Sequence, residues 1–365
     1  MLDRRSFLRQ TTGVVTGTFC YACGINHSVA QLRPKGPRRE VSVGGKRVRT
    51  IDIHCHCIVR DVLDVVKGTD VEKVLLGQLA SANQAIPVGA ERLNDMDYDG
   101  VDLQALSVNA YWYYTDRDMA RRIIDLQNQK LSELVKAKPD RFTAFASVAL
   151  QFPELAAEQM EYAIKTLGLR GVAIGASIGD DELSARKFDP FWAKAEELQA
   201  LVFIHPQPDG KSLRVRTGGS GALNTVLGNP WETTLCLAHL IFEGTLDRFP
   251  KLKICAAHGG GFLLSYAARM DHGCSVFPDQ CKVKINKRPT EYLKDLFFDT
   301  LVFTPEGLRH LAAESGPGQL MMGTDYGIPW VEGPVDHILA TPGLSDAERI
   351  AMLGGTAAKL LHLDT

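Results

Sequence analysis

One pattern recurs eight times between residues 48 and 325: a short apolar run rich in β-branched residues, then a longer stretch of helical periodicity. The runs span 48–56, 103–108, 142–149, 171–178, 201–205, 253–258, 296–301 and 320–325. Several are apolar almost throughout, as parallel strands covered on both faces are, whereas strands with one wet face alternate. Helical patterns at 118–136, 154–167, 189–199 and 233–246 lie between them. Pro153 and Pro305 stand where a first helical turn begins, a position with no use for a backbone N–H. Eight such units joined right-handedly close most economically into a (β/α)8 TIM barrel. An open, doubly wound sheet is the alternative. Its usual signature is missing, because Ile58-Val59-Arg60 follows the first run in place of a glycine-rich phosphate loop. A barrel takes about 250 residues as one domain, so residues 48–365 are assigned to it.

A barrel gathers the C-terminal ends of its strands at one mouth. The first run ends Ile51-Asp52-Ile53-His54-Cys55-His56. Strand side chains alternate faces, so Asp52, His54 and His56 are expected on one face and Ile51, Ile53 and Cys55 on the other. His205, His258 and Asp325 end the fifth, sixth and eighth runs. His54, His56, His205 and Asp325 suit one divalent ion, with zinc as the default and manganese or iron as alternatives. Such an ion lowers the pKa of a bound water towards neutrality. His258 is then placed to act on that water as acid or base rather than as a fifth ligand.

The remaining groups at the strand ends each carry two readings. Asp299, ending the seventh run, either orients a ligand histidine from behind or belongs to the cap of the Pro305 helix. Gly259-Gly260-Gly261 offers bare backbone to a substrate, or simply a tight turn. Tyr111-Trp112-Tyr113-Tyr114 follows the second run and either walls a substrate, with Trp112 as the contact, or seals the rim. Arg214 and Arg216 in the long fifth loop, and Arg269 after the glycine run, are candidates to hold a substrate carboxylate, with surface charge as the alternative for the first two. His239, His310 and His362 fall in helical patterns and are read as surface or packing residues.

A composition of 45% hydrophobic and 23% charged residues is that of a protein able to bury a large core. The net charge of −2, with no basic stripe, gives no case for nucleic acid or an anionic membrane. Cys55, Cys236 and Cys255 sit in apolar runs and read as packing residues; Cys57 is the thiol nearest the histidine pair, and packing is expected of it too. Cys274 and Cys281 share a loop and are able to pair in an oxidising compartment.

The N-terminus follows a different plan. Asp3-Arg4-Arg5-Ser6-Phe7-Leu8-Arg9, a mildly apolar stretch over 11–24 and Ser28-Val29-Ala30 together resemble a bacterial twin-arginine signal. That reading makes 1–30 a signal handled by the twin-arginine (Tat) export machinery and places the mature, soluble protein in the periplasm. A disordered basic terminus is the alternative. Residues 31–47, with Pro34, Pro37 and several basic side chains, are expected to be a linker.

From residue 50 onward the motifs resemble a known family. Ile-Asp-Ile-His54-Cys-His56, Phe-Ile-His205-Pro, Asn229-Pro-Trp-Glu-Thr-Thr, Lys253-Ile-Cys-Ala-Ala-His258-Gly-Gly-Gly and Met322-Gly-Thr-Asp325-Tyr are similar to the amidohydrolase superfamily. The likeness is strongest to its branch of 2-amino-3-carboxymuconate-6-semialdehyde decarboxylase and related aromatic-acid decarboxylases. The resemblance implies one zinc-like ion on His54, His56, His205 and Asp325, with His258 as the acid/base. It also implies Arg269 gripping a substrate carboxylate in the neighbouring subunit's site, hence a homodimer. The implied reaction is decarboxylation of a small unsaturated or aromatic carboxylic acid, through a metal-bound water activated by His258. The enzymatic alternative is hydrolysis of a lactone, ester or carbon–carbon bond by the same hydroxide; the non-enzymatic one is a metal-containing binding protein. Gln207 stands where the named decarboxylase has Trp after His-Pro, and Gly327 where a proline usually follows Asp-Tyr.

Overall fold

The computed structural model describes residues 34–80, 88–207, 216–219, 221–328 and 333–363. The expected export signal and Arg214 lie outside the described residues. The wall of the molecule is eight strands: β1 (Ile51–His56), β2 (Leu103–Ser107), β3 (Phe142–Ala144), β4 (Val172–Gly175), β5 (Leu201–His205), β6 (Lys253–Ala256), β7 (Phe297–Asp299) and β8 (Leu320–Met321). Every pairing among them is parallel. Two continuous ladders, β1 to β3 and β4 to β8, meet through single bridges, Ala146 with Val172 and Cys55 with Tyr326. At the second junction Ile53 N–H donates to Met322 O at 2.9 Å and Asp325 N–H to His54 O at 2.8 Å. The ring is closed, and the (β/α)8 barrel expected from the repeat is the fold.

Strand alternation sorts the apolar residues into two cores. Leu103, Ala105, Phe145, Leu201, Phe203, Cys255 and Met321 fill the barrel, with Phe145 and Phe203 stacked at 5.6 Å. Ala357, Ala358, Leu360 and Leu361 of the last helix join this inner core. Leu106, Val202, Ile204, Ile254 and Phe298 point outward and pack under helices such as Arg117–Ala137 and Pro153–Tyr162. Those helices start where capping chemistry puts them. Asp116 accepts from Met119 N–H, Pro153 occupies a first turn, and Thr304 accepts from Gly307 N–H ahead of Pro305.

Strict alternation fails at one place. Ile51 pairs with Leu103 and Asp52 with Gln104, but the next pair is Cys55 with Leu106, so Ile53 and His54 together oppose Ala105. A bulge of this kind re-aims side chains. Ile51 and Ile53 belong to the inner core, while Cys55 lies in the outer one. Asp52 therefore does not share a face with His54 and His56, contrary to the period-two expectation. It bonds Gln104, another outward residue. The bulge resets the phase so that the barrel bottom receives isoleucines and the mouth receives histidines from one strand.

The expected linker is in part structured. Ser42–Val43 and Lys46–Arg47 form an antiparallel hairpin, Val41 and Val43 are buried, and Arg47 pairs with Asp102 at 2.5 Å. Val41 packs against Gly100, where an added Cβ would lie 2.9 Å from its Cγ2. Among the described residues no helix is long and apolar enough to cross a membrane.

Candidate metal centre

The strand ends converge as the barrel topology requires. One ligand atom from each of His54, His56, His205 and Asp325 lies within 4.8 Å of all the others, and all four residues are buried. Asp325 Oδ1 is 3.2 Å from His54 Nε2 and 2.8 Å from His56 Nε2. The two imidazole Nε2 atoms are 3.2 Å apart. The His205 ring centroid is 5.0 Å from that of His54 and 4.6 Å from that of His56. Three imidazoles and a carboxylate aimed at one point form a divalent-cation site. The donors fit such an ion better than they fit one another. His205 is packed against three other histidines, and its Nδ1 is buried with no hydrogen-bond partner.

The charges sort themselves accordingly. Burial opposes a charge on His54, but Asp325 and Asp299 outweigh it and raise its pKa to about 10. Burial lowers His56, and lowers His205 far below its ordinary value with help from the neighbouring histidines. Burial works against the Asp325 carboxylate too, yet the charge and hydrogen bonds of the histidines hold it well below the usual carboxylate range. In the absence of metal the two carboxylates thus favour charge on His54, while burial favours neutral His56 and His205.

Asp299 is the carboxylate behind His54. Its Oδ2 accepts His54 Nδ1–H at 2.6 Å and His258 N–H at 2.9 Å, and its Oδ1 accepts Gly259 N–H at 2.8 Å and Leu301 N–H at 3.1 Å. This fixes the His54 tautomer and turns Nε2 into the site. The cap of the Pro305 helix is Thr304 instead.

His258 stands beside the four, with Nε2 at 3.7 Å from Asp325 Oδ2 and 13% of its side chain exposed, against 0% for His54. His258 is thus the partly exposed imidazole beside a buried set. His258 and Asp325 both have left-handed backbone, φ 56° and 55°. Such conformations in non-glycine residues persist where surrounding structure imposes them, often at functional sites. The three glycines after His258 complete the turn. A Cβ on Gly261 would lie 2.0 Å from Pro230 O, so that position has no room for a side chain.

The other candidates divide. Trp112 is fully buried with its indole N–H donated to Val148 O at 2.9 Å, and Tyr113 OH accepts Gly175 N–H at 2.9 Å. Trp112 and Tyr113 thus pack into the rim, whereas Tyr114 is 67% exposed. Arg216 is exposed on the fifth loop. Arg269 is exposed, has no ion pair among the described residues, and lines an open groove with Phe242, Tyr266, Met270 and Phe277. The same groove is bordered by Cys274 and Cys281, which are joined as a disulfide with Cα atoms 5.0 Å apart. Cys57 is buried in the outer core, away from the ligands. His239 pairs with Glu243. One residue escaped sequence reasoning. Gly323 lets β8 approach so closely that a Cβ there would sit 2.8 Å from Asp299 Cβ and 3.0 Å from His54 Cβ. Its place two residues before Asp325 was the available signal.

Comparison with known proteins agrees with this geometry. Residues 51–363 match the family described as Amidohydrolase. The 2-amino-3-carboxymuconate-6-semialdehyde decarboxylase of Dictyostelium discoideum is 32% identical over 277 residues, covering 75% of this chain and 76% of its own. A gamma-resorcylate decarboxylase of Polaromonas sp. is 26% identical over 293 residues, covering 77% and 90%. Among solved structures, 5-carboxyvanillate decarboxylase from Sphingomonas paucimobilis superposes with a TM-score of 0.79 at 24% identity, covering 87% of this chain and 100% of its own. A dihydroxybenzoic acid decarboxylase from Polaromonas sp. with bound manganese and 2-nitroresorcinol gives 0.74 at 24% identity, covering 86% and 97%. At that identity these structures speak for the fold.

Proposed function

Because this chain belongs to the amidohydrolase family, we propose that it is a metal-dependent carboxy-lyase acting on a small aromatic or unsaturated carboxylic acid. His54, His56, His205 and Asp325 would hold a divalent ion, which would supply Lewis-acid chemistry. Decarboxylation breaks the bond between the substrate carbon and its carboxyl group, leaves the electron pair on that carbon, and needs a proton delivered there. His258 is the donor: it is the partly open imidazole beside the buried cluster, with Nε2 3.7 Å from Asp325 Oδ2. Its position, set by a strained residue and three glycines, is the observation that carries the reading.

Arg269 is the anchor for the substrate carboxylate. It lines an exposed groove and has no ion pair among the described residues, which fits service to the site of a second copy in a homodimer. Zinc is the expected ion on the donor set, with manganese next. The Arg4-Arg5 motif supports twin-arginine export to the periplasm as part of this reading.

The test is elemental analysis of the purified protein, then a panel of aromatic and unsaturated acids scored for carbon dioxide. Stoichiometric carbon dioxide with a hydrogen at the vacated carbon is the expected result. New acid groups without carbon dioxide would overturn the reading in favour of hydrolysis.

A further inference from the structure

Behind the ligands, on the outer face of the wall, a chain of buried polar groups runs through packing that is otherwise apolar. Asp52 Oδ1 accepts the N–H groups of His54 and Thr324, each at 3.1 Å, and its Oδ2 accepts Thr324 Oγ1–H at 2.7 Å and Gln104 Nε2–H at 3.0 Å. Gln104 Oε1 accepts Arg92 Nε–H at 2.6 Å. Arg92, fully buried on the helix Ala90–Asp99, donates through Nη1 to His56 O at 2.7 Å and lays its guanidinium 4.4 Å from the centre of the Tyr326 ring. Tyr326 OH in turn donates to Asp95 Oδ2 at 2.7 Å. Arg92 Nη2 has no hydrogen-bond partner, so the fork to Gln104 and His56 and the Tyr326 ring fix the guanidinium.

Burying an arginine and an aspartate against helices is costly unless both are fully compensated, and leucines would fill the same space. What the polar chain has that leucines lack is direction. Each end grips backbone at a ligand: Asp52 holds the N–H groups of His54 and of Thr324, the residue before Asp325, and Arg92 holds the carbonyl of His56 and the ring of the residue after Asp325. Between those grips lies the bulge that turns His54 and His56 into the barrel. We propose that Arg92, acting through Gln104 and Asp52, is a positioning residue for the cation site. It pins the β1 bulge and the start of the turn after β8, and so sets metal affinity without touching metal or substrate. This rests on the metal-site reading above but not on the identity of the reaction.

The experiment measures Zn2+ and Mn2+ affinity by competition with a chromophoric chelator. The proteins are wild type, Arg92→Met, Gln104→Met, the double variant, Arg92→Lys and, as reference, His54→Ala. Far-UV circular dichroism and the melting temperature of each metal-free protein are recorded alongside. Arg92→Met is expected to weaken binding about 10- to 100-fold, the range for groups that orient ligands from behind, with the metal-free fold retained. Arg92→Lys, which cannot fork to two acceptors, stays weakened. The double variant binds no worse than the weaker single one, because both act through one chain. Should Arg92→Met fail to fold, Gln104→Met, which removes no charge, makes the same comparison. Folded variants with affinity within about twofold of wild type, or losses that simply add, overturn the proposal while His54→Ala still abolishes binding. If His54→Ala itself retains metal, the metal-site reading falls and the proposal falls with it.

Discussion

Replacing Asp299 by asparagine keeps the side chain's shape and removes its charge, which isolates what the carboxylate does. Each of its oxygens accepts two hydrogen bonds: His54 Nδ1–H and His258 N–H on one, Gly259 N–H and Leu301 N–H on the other. An amide has only one accepting oxygen. Whichever way it is turned, two buried donors face an NH2 group, and each orphaned donor costs about 1–3 kcal/mol, giving about 2–6 kcal/mol of lost stability in the metal-free protein. His54 also loses the hydrogen bond that presents its Nε2, and loss of such an orienting partner lowers metal affinity by about 10- to 100-fold, equivalent to about 1.4–2.7 kcal/mol. Urea unfolding of the metal-free protein reads the first quantity, and chelator competition reads the second. If Asp299 only began the Pro305 helix, asparagine would serve as well as aspartate. An unfolding midpoint and a metal Kd both indistinguishable from wild type would therefore refute the argument.

His258→Ala should lower turnover by about 10²- to 10⁴-fold while elemental analysis finds metal unchanged; loss of metal would make His258 a ligand instead. Metal binding should release close to one proton, because His54, with its pKa raised to about 10, is protonated in the metal-free protein at neutral pH. Affinity then rises about tenfold per pH unit between about pH 7 and 9, and calorimetry in buffers of different ionisation heat counts the proton; affinity independent of pH sinks this. The same raised pKa gives the metal-free protein stability that is full below the unfolded value of 6.5 and disappears as pH rises through about 10. Gly323→Ala drives a Cβ against Asp299 and His54, so overpacking of about 1–3 kcal/mol should appear in the urea midpoint together with weaker metal binding, and a wild-type midpoint would count against the close approach. Arg4→Lys with Arg5→Lys should hold the protein in the cytoplasm on fractionation, and normal export would remove the targeting proposal.

The barrel was legible because each βα unit repeats the same local signal, and all eight expected runs contain a wall strand. The ligands were legible because polar side chains that end buried strands stand out against apolar runs. The bulge was not. Whether β1 keeps a strict period of two is decided by its partners, Gln104 on β2 and Thr324 beyond β8, which hold Asp52 on the outer face. A single strand read alone carries no trace of them. Trp112 carried two readings for a related reason, since an aromatic near the mouth looks the same in sequence whether its N–H faces a ligand or Val148 O. The hairpin at 42–47 hid behind prolines and charges because its burial depends on a concavity made by residues far along the chain. Asp299 stood between two readings until its donors could be counted.

The ring closes between the first strand and the last, and there a lone bridge, Cys55 with Tyr326, takes the place of a continuous ladder. His54 and His56 lie on one bank of that junction and Asp325 on the other. A cation held there would act as a rivet across one of the two seams of the cylinder. Without it, amide protons of residues 53–56 and 322–326 should exchange faster than in the loaded protein.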